Sequence, residues 1–128
     1  MVWTIYRILL PDMTPVYVGQ ASGMPKRAAK HVRNAHKRPN VDMWNIRTFL
    51  VELAESGVYP LFQVVAVAHS EEEALELETE WVRRTVEAGF PVLNRWRVHR
   101  EIVGAKFGTR DLKRYFAELV ERSTKSAA

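Results

Sequence analysis

The stretch VWTIYRILLPDMTPVYVG, residues 2–19, decides the fold class. Val2 to Leu10 is built from β-branched, aromatic and aliphatic residues, Pro11-Asp12-Met13-Thr14-Pro15 interrupts it, and Val16-Tyr17-Val18-Gly19 resumes the extended pattern. Such side chains suit a pleated backbone, while proline and aspartate suit the reversal between two strands. A β-hairpin is therefore predicted at the head of the chain. Downstream, Pro25 to about Arg38 has Ala28, Val32 and Ala35 at helical spacing, with Pro25 suited to a first turn and Pro39 to a stop. From about Asp42 to Ser56 the apolar residues Met43, Ile46, Phe49, Leu50, Leu53 and Ala54 follow the 3.6-residue period, and Gly57 suits the position after a helix end.

Leu61 to Ala68 is a nearly continuous apolar run of strand length, which reads as a central strand. Ser70 with Glu73 three residues later forms a capping box, and Glu71 and Glu72 suit the positive end of a helix dipole, so a helix is predicted over about Glu71 to Ala88. Gly89 ends it, and Phe90 to Asn94 reads as an irregular apolar segment. A last amphipathic pattern runs from about Arg110 to Arg122, with Leu112, Tyr115, Phe116, Leu119 and Val120 on one side. Ile102 to Phe116 resembles a helix-turn-helix only faintly, because the piece after Gly108 reads as too short for a recognition helix.

At 128 residues the chain has the length of one domain. Hydrophobic residues at 47% and charged residues at 27% exclude a chain disordered throughout. With no cysteine, disulfides, thiolate zinc sites and cysteine nucleophiles are excluded, and a reducing cytoplasm is the expected location. Met1-Val2-Trp3-Thr4 has no basic segment before an apolar one, and no run approaches the roughly 20 apolar residues of a membrane span, so no membrane partner is expected. Phosphate-loop, dinucleotide, zinc-hydrolase and nucleophile-elbow motifs are absent, and His31, His36, His69 and His99 lack zinc spacing.

The net charge of +4 is unevenly spread: residues 1–94 hold 10 Lys+Arg against 11 Asp+Glu, and residues 95–128 hold 9 against 4. Lys26 to Arg38 carries six cations without an acid, and Glu71 to Glu80 carries six glutamates without a base. Basic blocks of this kind serve solubility or phosphate binding alike. Five residues bear on the choice, each open to two readings. Glu78 lies on the helical stripe of Ala74, Leu75, Trp81 and Val82, where an ionised carboxylate needs a cation, a metal or a raised pKa; it stands either at the stripe's edge as a structural partner or in a functional site. Arg27 and His31 lie four apart on one helix face, either solvated or directed at one anion. Tyr6 and Tyr17, on predicted strands, are packing residues or site residues.

Taken in order, these residues resemble the GIY-YIG nuclease domain over about residues 3–95. Thr4-Ile5-Tyr6 stands where the family has its first motif, with Thr4 in place of glycine, and Tyr17-Val18-Gly19 where it has the second, with Val18 in place of isoleucine. Arg27 and His31 resemble the arginine and frequent histidine of the following helix, Glu78 resembles the metal-binding glutamate, and Pro91 with Leu93-Asn94 resembles the closing signature. The resemblance implies an α/β (α+β) fold with a small three-stranded antiparallel sheet flanked by helices, here followed by a basic helical extension over 96–128. It implies hydrolysis of DNA phosphodiesters with one Mg²⁺ or Mn²⁺ held by Glu78. Tyr6, Tyr17, Arg27, His31 and Asn94 complete the implied catalytic set, and Lys26, Lys30, Arg33, Lys37 and Arg38 are the expected DNA-backbone contacts. Specificity would then come from a targeting protein, a homodimer or DNA structure. The alternative is a catalytically inactive nucleic-acid-binding module of the same fold.

Overall fold

The computed structural model describes residues 2–22, 46–108 and 111–127. They form strands β1 (Trp3–Leu9), β2 (Pro15–Ala21) and β3 (Leu61–Ala68) and helices α1 (Ile46–Glu55), α2 (Glu71–Glu87), α3 (Arg97–Phe107) and α4 (Leu112–Ala127). The three strands make one antiparallel sheet in the order β2-β1-β3, giving the expected α+β class. The helix predicted over 25–38, and with it Lys26, Arg27, Lys30, His31, Arg33, Lys37 and Arg38, lies outside the described residues.

The hairpin turn closes as its sequence predicts. Leu10 N donates to Thr14 O (2.9 Å), Met13 N to Leu10 O (2.8 Å) and Thr14 N to the Asp12 carboxylate (3.0 Å). Helix α1 ends in a Schellman motif: Gly57, at φ +76°, donates to Ala54 O while Val58 N reaches back to Leu53 O. Val58 and Leu53 then join one hydrophobic cluster, so the cap also seals the core. At the head of α2 the Ser70 hydroxyl accepts from Glu73 N at 3.1 Å. Ser70→Ala should cost about 1 kcal/mol, measurable as a lowered urea midpoint.

Helices cover both faces of the sheet. Tyr6, Ile8 and Leu10 pack with Phe49, Leu50 and Leu53 of α1 and with Phe116 and Leu119 of α4. Phe49 and Phe116 meet edge to face, with ring centroids 5.8 Å apart. On the opposite face Ile5 and Val18 pack with Ala74, Val82 and Val86 of α2 and Val103 of α3.

Three expectations need correction. Leu61 to Ala68 is an edge strand and β1 is central. In β1, Ile5, Tyr6, Ile8 and Leu9 are buried on both faces, whereas Leu61, Val64 and Val67 of β3 stay 45–54% exposed. An apolar run permits burial on two sides but does not supply a second neighbouring strand. Leu75 does not belong to the inward stripe; it is 39% exposed, and the buried face of α2 runs through Ala74, Thr79, Val82, Thr85 and Val86. Finally, the region after Asn94 holds two helices instead of one, and α4 has 16 residues, longer than the pattern over Arg110 to Arg122 suggests.

Candidate functional site

Strand β2 organises the candidate site. Its Gly19 is buried and pairs with Tyr6 across the hairpin. A Cβ built on Gly19 would sit 2.6 Å from both Cζ and the hydroxyl oxygen of Tyr6 and 2.9 Å from Cε1 of Tyr17. The absence of a side chain at Gly19 is thus what lets the two tyrosine rings converge on the strand. Tyr6 is fully buried and tilted against Phe62 at 6.1 Å, while Tyr17 is half-buried.

Gln20, the next residue, pairs with Ile5 and so belongs to the α2 face, opposite the tyrosines. There its side-chain amide donates to Glu78 Oε2 at 2.9 Å. Glu78 is half-buried between Ala74 and Val82, both fully buried one turn away on either side. The carboxylate therefore stands on the inward side of α2, as its spacing suggests, and a neutral amide is among the groups that meet it. Two aromatic hydroxyl residues and one carboxylate thus stand on opposite faces of the middle of β2, Tyr17 to Gln20.

Asn94 fixes the free edge of that strand. Its Oδ1 accepts from Val18 N at 3.0 Å and its Nδ2 donates to Val18 O at 2.7 Å, while Leu93 N donates to Val16 O at 2.8 Å. The segment read as irregular thus satisfies backbone groups that a free edge would leave to water. The second Nδ2 proton of Asn94 faces His99 Nδ1 at 3.0 Å, and His99 Nε2 lies 3.0 Å from the Thr79 hydroxyl. Because Asn94 Oδ1 is committed to an N–H, its nitrogen is the donor, so Nδ1 accepts and the proton of neutral His99 sits on Nε2, donating to Thr79. Burial, aided by the Arg83 charge, pulls the His99 pKa down to about 4. Sequence reasoning missed both His99 and Thr79. The available signal was His99 four residues before Val103, one helical turn apart, on a stretch whose apolar content alone was too thin to announce a helix.

A further cation was missed. Arg7 projects toward α2, its Nε and Nη2 donating to Gln63 Oε1 at 2.9 and 2.8 Å and its Nη1 to Thr85 at 3.3 Å. The Trp81 ring receives Arg7 at 5.5 Å and Arg84 at 4.8 Å, cation–π distances that explain its half-burial. Burial lowers the Arg7 pKa, though an arginine stays charged at any working pH. Arg27 and His31 lie outside the described residues.

Among the described residues no three His, Asp or Glu side chains gather as a metal cluster. A single half-buried carboxylate does suit Mg²⁺ or Mn²⁺, which keep waters and bind through one or two carboxylates plus phosphate oxygens. Comparisons with known protein families, with characterised proteins and with solved structures find no match.

Proposed function

We propose that the chain is a divalent-metal-dependent endonuclease that hydrolyses DNA phosphodiester bonds, with a domain resembling the GIY-YIG fold over residues 1–95 and a basic helical extension over 96–128. The observation that carries this reading is Glu78, an acid on the inward side of α2, tied by Gln20 to the strand whose Gly19 gathers Tyr6 and Tyr17.

Glu78 is the residue that would hold Mg²⁺ or Mn²⁺, and the ion when bound supplies positive charge against a phosphate oxygen. Tyr17, half-buried on the face of β2 opposite Glu78, is assigned by the resemblance to orient or deprotonate a water, whose oxygen bonds to phosphorus as the ester oxygen departs, and this role requires the phosphate to reach past the edge of β2. Tyr6, fully buried, acts as a positioning residue through Gly19 and Tyr17. Asn94 holds the β2 backbone and acts on the site through it. In this reading Arg27 neutralises charge on the phosphoryl oxygens, His31 assists proton movement, and Lys26, Lys30, Arg33, Lys37 and Arg38 contact the DNA backbone without reading bases. Such binding is salt-sensitive and leaves target choice to DNA structure, a homodimer or a separate targeting protein. The proposed setting is cytoplasmic; no described helix is long and apolar enough to cross a membrane.

Plasmid nicking tests the reading. With Mg²⁺ or Mn²⁺, wild type should convert supercoiled DNA to nicked or linear forms, chelator should stop it, and Glu78→Ala should fall by at least about 100-fold with its circular dichroism unchanged. Gel shifts by wild type without cutting would replace the nuclease with the inactive binding module.

A further inference from the structure

Between the Val92–Arg95 segment, α3 and the start of α4 lies a cavity of about 330 Å³. That is at the small end of the range for pockets that hold organic ligands. Its floor is Val92, Leu93, Val103 and Phe116, each more than nine-tenths buried. Its rim carries Arg95, Arg100 and Lys113, and among the described residues no acid lines it. Arg100 and Lys113 form no ion pair among the described residues. Three cations around an apolar floor specify a ligand with an anionic head and an apolar body.

Gly104 adds an independent observation. It sits inside α3, where glycine is a poor helix former, and it lines the cavity. Its φ is not in the left-handed region, and a Cβ built there meets nothing within 4 Å among the described residues. Neither backbone conformation nor packing calls for glycine at this position. A Cβ there stands in open space at the cavity's edge, so only a side chain longer than alanine's, one turn from Arg100, would reach into the cavity.

We propose that this cavity binds a single nucleotide, its phosphate held by Arg95, Arg100 and Lys113 and its base laid on the apolar floor beside Gly104. The pairing of an anion with an apolar body follows from the lining, and the choice of nucleotide among organic phosphates rests on the nuclease reading. The site is separate from Glu78. One wall is Asn94, whose other contacts hold Val18 of β2, so the bound nucleotide adjoins the strand that carries Tyr17.

Isothermal titration of the full chain without metal tests the proposal, with deoxyadenosine 5′-monophosphate, deoxyadenosine, inorganic phosphate and 1-naphthyl phosphate as probes. The mononucleotide should bind at least tenfold more tightly than deoxyadenosine or phosphate. Arg100→Gln with Lys113→Gln should weaken it at least tenfold. Gly104→Leu should abolish binding with an unchanged or raised thermal midpoint, so a misfolded rim variant does not leave the question open. Glu78→Ala should bind as wild type, which separates this site from the fate of the nuclease reading. A 5′-phosphorylated tetradeoxynucleotide binding more tightly than the mononucleotide assigns the site to a DNA strand; equal or weaker binding assigns it to the free nucleotide. Four outcomes would overturn the proposal: phosphate binding as well as the mononucleotide, folded Gly104→Leu binding as wild type, naphthyl phosphate binding tenfold better than the mononucleotide, or the tetradeoxynucleotide binding more tightly than the mononucleotide.

Discussion

Gly19→Ala is expected to destabilise the domain by about 3 kcal/mol or more, enough to leave a small domain partly unfolded at 25 °C. The new methyl carbon would lie 2.6 Å from Tyr6 Cζ and its hydroxyl oxygen and 2.9 Å from Tyr17 Cε1. The Tyr6 ring cannot give way cheaply. Tyr6 is 0% exposed with Phe62 behind it on β3, and β1 is held between two strands, so relief requires the hairpin itself to open. The backbone conformation at Gly19 is not the obstacle, since its φ is not in the left-handed region. The effect is steric and therefore pairwise. Tyr6→Phe removes the hydroxyl but keeps the Cζ clash and should rescue little, whereas Tyr6→Leu removes both clashing atoms and should restore more of the loss. Urea denaturation of the four corners of that cycle measures the coupling. Additive losses in Gly19→Ala/Tyr6→Leu would sink the account. If the nuclease reading holds, the same substitution displaces Tyr17, so residual folded protein should also cut slowly.

This glycine marks the boundary between what the residues announce and what only pairing supplies. The hairpin is legible because Pro11 and Asp12 break two apolar runs, and Tyr17-Val18-Gly19 stands out as a motif. That Gly19 is there for space follows only from its register with Tyr6, which no local pattern contains. The same holds for strand order. Residues 2–10 and 61–68 are both apolar enough for a central strand, and the difference lies in which of them finds neighbours on both sides. Glu78 was legible because Ala74 and Val82 lie one turn away on each side, but its partner Gln20 is 58 residues distant. Helix α3 escaped notice for a third reason. Its N-cap, Trp96, makes no side-chain cap bond, and its buried face uses His99 where a pattern search looks for leucine.

That histidine gives the second large expected effect, a loss of stability in mild acid. In the unfolded chain its pKa is 6.5, and in the fold burial together with Arg83 holds it near 4. Between those values the unfolded chain binds a proton that the folded chain refuses. The contribution is therefore fully present above about pH 6.5 and is lost progressively as the pH falls toward 4, a change of about 3 kcal/mol. The hydrogen bonds reinforce the sign. Protonation at Nδ1 would turn an acceptor into a donor facing the Asn94 amide, at 3.0 Å. Asn94 cannot simply flip to meet it, because its Oδ1 and Nδ2 already bind Val18 N and O. Acid thus strains the clamp on β2 as well as charging a buried ring. Urea midpoints at pH 7, 5 and 4 should fall more steeply for wild type than for His99→Gln, the difference between the two curves isolating this residue from the carboxylates. Parallel curves would show that His99 is protonated as readily in the fold as out of it. Asn94→Leu, which leaves Val18 N–H and C=O without these partners, should be destabilised at every pH, locating the acid sensitivity in the imidazole and the strand clamp in the amide.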